Sequence, residues 1–332
     1  MRSWQIAATL AVGLVAIPAA WAADINERTI KVGIGLTTDH PQAQAVRKFG
    51  EVLKEKSDGK LTVKLFPGGT LGNDVTMISS LQGGTLEMTV PDTSTLVGIA
   101  GLEPFGLINL PFVIGTSEQA DALLDGPFGQ KLLAKLPQTG LVGLGFWENG
   151  FRQVTNNRRA IDTAEDFAGL KLRVIQNPLF IETFSALGAS AQPMPFPEVY
   201  SALETGVVDG QENPLATILA SKFYEVQDHE VLSNHIYSVW ALLMSKKFWD
   251  KLSPDEQQLI GEAAKEATAF ERATIRAYAA EALDKLKSEG MEVTTLPDPE
   301  MAKLRQMTEP VRAQFKQQFG AADAEEMMAA LK

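Results

Sequence analysis

Apolar and polar positions alternate in short runs through the first two-thirds of the chain, then settle into one long helical period. Residues 29–36 read as a strand. A helix over 41–57 follows, with Ala43, Val46, Phe49, Val52 and Leu53 on one face. The next strand is 61–66. Asn73 is placed to cap a helix carrying Met77, Ile78 and Leu81, and 86–90 reads as a third strand. A second set begins near Asn149: strand 170–174, helix 178–187, strand 191–194, helix 197–205 and strand 207–212. Two sets of similar build predict an α/β fold with two lobes.

The last third is different. Ser253-Pro254-Asp255-Glu256 is a capping box with proline at the first helical position. No Gly or Pro interrupts 262–289, and Gly290 supplies the stop. A helix of about 35 residues would be about 50 Å long, more than one lobe. Its Ala-rich apolar repeat holds no strict heptad, which favours a spine across both lobes over a coiled-coil arm. The expected division is residues 23–149 with 239–275 as the first lobe, 150–238 with 276–306 as the second, and 307–332 as a helical tail.

The N-terminus changes the compartment. Arg2 is the only charge before Asp24, residues 6–17 are apolar, Pro18 breaks the run, and Ala20-Trp21-Ala22 is a small-x-small cleavage site. This pattern predicts a signal peptide over 1–22, its apolar run too short to span a bilayer, and hence a periplasmic protein. The chain has no cysteine, so neither disulfides nor thiolate metal sites are expected. About 310 mature residues can bury roughly 75% of their unfolded surface without such staples. The formal charge is −11, or −12 once Arg2 leaves with the signal, which argues against nucleic acid and anionic membranes as partners.

Catalytic signatures are missing. Gly33-Ile34-Gly35 lacks the third glycine of a dinucleotide fingerprint, and there is no phosphate loop or nucleophile elbow. His40, His229 and His235 are scattered and predict no metal site. No cofactor is expected. Two stretches carry candidate chemistry. Arg173 ends a strand, where open α/β sheets collect ligands, and its planar guanidinium can hold a carboxylate bidentately; an ordinary ion pair is the competing reading. Asp209-Gly210-Gln211-Glu212-Asn213-Pro214 ends another strand in polar groups, and Asn213 can both donate and accept. The segment 65–130 contains no Lys or Arg, whereas Arg152, Arg158, Arg159, Lys171 and Arg173 cluster.

These pieces together resemble the solute-binding subunits of tripartite ATP-independent periplasmic (TRAP) transporters, of the dicarboxylate-binding DctP type. The resemblance is carried by Leu71-Gly72-Asn73-Asp74, Trp147-Glu148-Asn149-Gly150-Phe151-Arg152, the strand ending Leu172-Arg173-Val174, Pro193-Met194-Pro195-Phe196-Pro197-Glu198, and the stretch ending Glu212-Asn213-Pro214, collinear from about Thr29 to Gly320. It implies two lobes joined by crossing strands and a long helix, closing on a ligand. It implies that Arg173 clamps a carboxylate with Arg152 and Asn213 beside it and Phe196 packed against it. It implies delivery to two integral-membrane subunits by a monomeric receptor that is not an enzyme. Asp74, Asp92, Glu148, Asn149 and Trp240 complete the expected ligand-binding set. Members that bind sialic acid carry Asn where Gly35 stands and Glu where Asp92 stands, so sialic acid is disfavoured. Acidic and neutral strand ends in the first lobe suit ligand hydroxyls and predict a sugar acid or keto-sugar acid. A C4-dicarboxylate, held by Arg152 and Arg173 together, and an aromatic acid, packed by Trp147, Phe151 and Trp240, are the alternatives. Across classes the rival is a periplasmic enzyme acting on an acid.

Overall fold

The computed structural model describes residues 24–332, so the signal peptide expected at 1–22 lies outside the described residues. In chain order the elements are β1 (Arg28–Gly33), α1 (Pro41–Lys56), β2 (Leu61–Phe66), α2 (Asp74–Gly83), β3 (Met88–Thr89), α3 (Ser117–Asp125), α4 (Pro127–Leu133) and β4 (Leu141–Asn156). There follow β5 (Lys171–Val174), α5 (Pro178–Ala186), β6 (Ser190–Pro193), α6 (Val199–Glu204), β7 (Gly210–Pro214), α7 (Leu215–Ala220), β8 (His229–Leu232), β9 (Tyr237–Ser245) and α8 (Lys246–Trp249). The chain ends in α9 (Pro254–Ser288), β10 (Glu292–Thr295), α10 (Asp298–Met307), α11 (Glu309–Gln318) and α12 (Ala321–Ala330).

The strands run β2-β1-β3-β9-β4-β7-β5-β6, with β8 against β4 and β10 beyond β8. β1, β2 and β3 are parallel, as are β5, β6 and β7. The two parallel halves are the two lobes of the α/β fold, and β4 joins them. Its first part, to Phe151, pairs antiparallel with β9; from Arg152 onward it pairs with β7 and then β8. Sequence patterning does not predict this 16-residue strand, which contains Gly143, Gly145 and Gly150. Register shifts at Gly143/Gly145 and at Glu148/Gly150 absorb them. The apolar run before it forms 3-10 turns at Thr93–Gly98 and Glu103–Asn109, buried in the first lobe.

Helix α9 spans 35 residues and starts at the expected capping box: the Ser253 hydroxyl accepts from the Glu256 amide at 3.1 Å, and Glu256 accepts from the Ser253 amide at 2.9 Å. Its Ile260, Ala263, Ala264, Ala267 and Ile275 pack with the core of β1, α1 and β9; Ala282 and Leu286 join the second-lobe core around Leu203 and Ile218. Small alanines let the helix lie close along both lobes. The C-terminal helices are not free-standing: Val311, Phe315, Phe319 and Met327 close the first-lobe core around Phe105 and Phe128. The strand expected at 207–212 sits three residues later, as β7, because Val207 and Val208 turn out of α6 and Val208 packs beneath it.

Candidate functional site

The carboxyl ends of β1, β3, β5 and β7 converge on one cavity between the lobes, where the topology of an α/β sheet collects ligands. It encloses about 640 Å³ including its open mouth. The first lobe contributes Gly35, Gln42, Asn73, Asp74 and Asp92. The second contributes Arg173, Met194, Phe196, Asn213 and Thr217, while Asn149 and Arg152 come from β4 and Trp240 from β9. A Cβ at Gly35 would lie 3.5 Å from Asp74 Oδ1, so the missing side chain leaves that space to the cavity.

The two lining arginines differ in their partners. Arg152 is fully buried, and its Nε and Nη2 grip the Glu212 carboxylate, Nη2 at 2.8 Å from Oε1. Nη2 also meets Asn213 Oδ1 at 3.1 Å, and Nη1 meets the Ser238 hydroxyl at 3.2 Å. His235 Nε2 lies 3.1 Å from the same carboxylate, and its Nδ1 lies 2.8 Å from the Ser233 hydroxyl. Burial pulls the His235 pKa down, which leaves a neutral ring whose Nε2–H donates to Glu212. Burial pushes Glu212 up, but Arg152 and His235 overcome it and hold the carboxyl below its ordinary value. Arg152 is thus a neutralised cation.

Arg173 is buried with no carboxylate within 4.0 Å among the described residues. Its Nε and Nη2 donate to the Met194 carbonyl at 2.9 and 2.7 Å, which fixes the guanidinium plane. Three of its five N–H bonds, those at the Nη1/Nη2 end, are free of that bond. The guanidinium stands 5.9 Å from the Phe196 ring, which packs simultaneously into both lobe cores. Burial lowers its pKa to about 10, with Glu212, Asp74 and Asp92 opposing, so it is a cation at neutral pH.

The facing wall is built of acceptors. Asp92 is tied by the Ser94 amide at 3.0 Å and the Ser94 hydroxyl at 2.6 Å, and by Ser238. Asp74 opens α2, whose cap is Asn73 as expected, with the Thr76 amide 3.0 Å from Asn73 Oδ1. Burial raises the Asp74 pKa to about 7; Asp92 adds to the rise, and the Asp92 amide and Arg173 oppose it. Gln42 was not legible as a site residue. Its Nε2 donates to the Val90 carbonyl at 3.1 Å, which fixes the amide orientation and leaves Oε1 buried with no partner among the described residues. His40 accepts from the Gln42 amide on Nδ1 at 3.0 Å, lies 3.1 Å from the Thr217 hydroxyl on Nε2, and stands edge-on to Trp240. Burial lowers its pKa to about 3, so it is a neutral donor to Thr217, whose hydroxyl lies 3.3 Å from Asn149 Oδ1.

All the sequence-chosen site residues border this cavity except Glu148. Side chains alternate along β4, so with Asn149 in the cavity Glu148 points to the opposite face, where its Oε2 meets Arg276 Nε at 2.6 Å and its Oε1 meets the Ser117 hydroxyl of α3 at 3.2 Å. Trp147 lies on the other face from Glu148 and packs toward α9, its indole N–H 3.0 Å from Thr268, and Phe151 packs on Tyr237 at 4.9 Å. Of the aromatics considered for an aromatic acid, Trp240 alone borders the cavity.

Comparison with known proteins agrees with this architecture. Residues 32–318 match the family described as bacterial extracellular solute-binding protein, family 7 (DctP). The chain is 44% identical to the sugar acid binding protein DctPAm of Advenella mimigardefordensis in complex with galactonate, with a TM-score of 0.91, covering 93% of this chain and 99% of that one. It is 36% identical over 287 residues to the 2,3-diketo-L-gulonate-binding periplasmic protein YiaO of Escherichia coli, covering 86% of this chain and 87% of that protein. A TRAP periplasmic solute-binding protein of Sulfurospirillum deleyianum with bound succinate is 32% identical, with a TM-score of 0.87, covering 92% of this chain and 100% of that one. A two-lobed α/β fold with a ligand-sized cleft and a match over nearly the whole chain lead to one conclusion: the protein belongs to the DctP family, the organic-acid receptors of TRAP transporters, which bind solutes and are not enzymes.

Proposed function

We propose that this receptor binds a polyhydroxylated monocarboxylate, an aldonate or keto-aldonate, and delivers it from the periplasm to the two membrane subunits of a TRAP transporter. The observation that carries this reading is the inequality of the two lining arginines. Arg173 has no carboxylate partner, and Arg152 is already satisfied by Glu212. One anionic group of the ligand is therefore matched, and a second would meet Asp74 and Asp92 in place of a free cation. Those carboxyls and Gln42 Oε1 suit ligand hydroxyls, which donate. Relatives named for galactonate and 2,3-diketo-L-gulonate support the reading, and the succinate-bound relative keeps a C4-dicarboxylate as the second. The signal segment, read from the sequence, accounts for export.

A thermal-shift panel tests the assignment. D-galactonate, D-gluconate and 2-keto-D-gluconate are expected to raise the melting temperature by several degrees, while succinate, malate and 4-hydroxybenzoate leave it unchanged. Stabilisation by succinate or malate alone would reverse the ranking.

The lobe limits proposed are 23–149 with 239–275 and 150–238 with 276–306. The change of partner along β4 at Phe151/Arg152 and the change of core along α9 between Ile275 and Ala282 support them.

Asp74 gives the site a pH signature. A carboxyl with a raised folded pKa favours the folded state while protonated; that advantage is complete below 3.8 and lost as pH rises through about 7. A ligand carboxylate on Arg173 offsets the cation that opposes the rise of Asp74, so binding at pH 7 is expected to take up protons. Calorimetry in buffers of different ionisation enthalpy reads this uptake directly, and Asp74→Asn should abolish it. Proton release on binding would contradict the placement of the ligand carboxylate on Arg173.

A further inference from the structure

Among the described residues no strand lies beside the edge of β4 that faces away from β9 before Arg152, since β7 begins pairing only there. The Glu148 amide on this stretch donates to Glu271 Oε2 of α9 at 2.9 Å. Glu271 is fully buried, and its Oε1 has no partner among the described residues. Burial pushes its pKa well above the usual carboxylate range; the Glu148 carboxylate adds to this, and the Glu148 amide, Arg272 and Arg276 oppose it. An α9 side chain has thus been taken out of water to meet one backbone amide. Neighbouring turns of the helix make three more contacts with the same strand. Thr268 holds the Trp147 indole, Arg272 reaches the Phe146 carbonyl at 3.2 Å, and Arg276 pairs with Glu148.

The strand changes course immediately after this anchor. Register shifts between Glu148 and Gly150, and Gly150 has φ 106°, a value that favours glycine. Asn149, the residue between them, is the one that enters the cavity, and Arg152 then locks onto Glu212. The crossing segment is therefore pinned at Glu148 by the spine helix and at Arg152 by the second lobe. We propose that Glu271 is a positioning residue for ligand binding: by accepting the Glu148 amide it sets the bend that presents Asn149 to the cavity. The inference rests on the receptor reading above, but the acceptor role can be measured without any ligand.

What Glu271 supplies is a carbonyl-type acceptor, not a charge. Glu271→Gln keeps that acceptor, and Glu271→Leu removes it. Hydrogen–deuterium exchange of the unliganded protein is expected to show protection of the peptide 147–152 kept in Glu271→Gln and lost in Glu271→Leu. Calorimetry with D-galactonate, or with succinate if the wild type binds only that, should give about twofold or less weakening for Gln and about tenfold or more for Leu, the scale of one orphaned buried amide. If the leucine variant does not fold, Glu271→Met, which also lacks the acceptor, takes its place. Equal binding and equal protection in both variants would overturn the inference. So would a glutamine variant as weak as leucine, because charge would then be what matters. Failure of the wild type to bind galactonate would count against the sugar-acid reading alone.

Discussion

Replacing Arg173 by lysine is expected to weaken ligand binding by ~2–5 kcal/mol, about thirtyfold to several thousandfold. Lysine keeps the charge, so the loss isolates geometry. The guanidinium is held by two N–H bonds to the Met194 carbonyl and presents its outer Nη1/Nη2 end as a planar fork. An ammonium keeps three donors, but it cannot offer a fixed pair of parallel bonds to a carboxylate. Calorimetry with the best ligand of the thermal-shift panel reads the effect. Near-normal affinity in Arg173→Lys would remove the clamp role.

The second large effect is on stability. Glu212→Leu leaves the fully buried Arg152 guanidinium without its counter-charge and His235 without its acceptor. Truncating one partner of such a pair costs about 3–5 kcal/mol, and denaturant unfolding at neutral pH should show a loss of that size. The double variant Arg152→Met/Glu212→Leu is expected to recover most of it, because two apolar side chains of similar volume leave no charge buried. A loss below about 1 kcal/mol in the single variant would mean that water reaches Arg152 and that the pair is not sealed from solvent.

The parts of this structure that were legible in the sequence are those specified locally. Pro41 at a helix start, the Asn73 cap and the Ser253 capping box each act within a few residues, and α1, α2 and α9 begin where those signals stand. Arg173 was legible as a candidate because open α/β sheets collect ligands at strand ends, while its clamp role came from the family resemblance and not from the spacing. What could not be read depends on pairing across long separations. Arg152 and Glu212 are far apart in the chain, and only the antiparallel pairing of β4 with β7 brings them side by side. Hence a cation expected beside the ligand proved to be neutralised. The polar run 210–214 is buried throughout, against the rule that buries apolar residues, because Asn213, Gln211, Thr155 and Gln227 satisfy one another in sequence. Glu148 sits one residue from Asn149 in the same motif, and strand alternation sends it to the opposite face. Gln42 carried no signal beyond an ordinary helix start; only its partnerless Oε1 beside the cavity marks it.

The cleft is expected to match one carboxylate and several hydroxyls. Calorimetric titration with D-galactonate and with galactarate, its six-carbon diacid counterpart, tests that claim most directly, since the two differ only in whether the far carbon is a hydroxymethyl or a carboxylate. Galactonate is expected to bind at least a hundredfold more tightly, because the second carboxylate would face Asp74 and Asp92 with Arg152 already committed to Glu212. Galactarate binding as tightly as galactonate, or succinate more tightly than either, would contradict it.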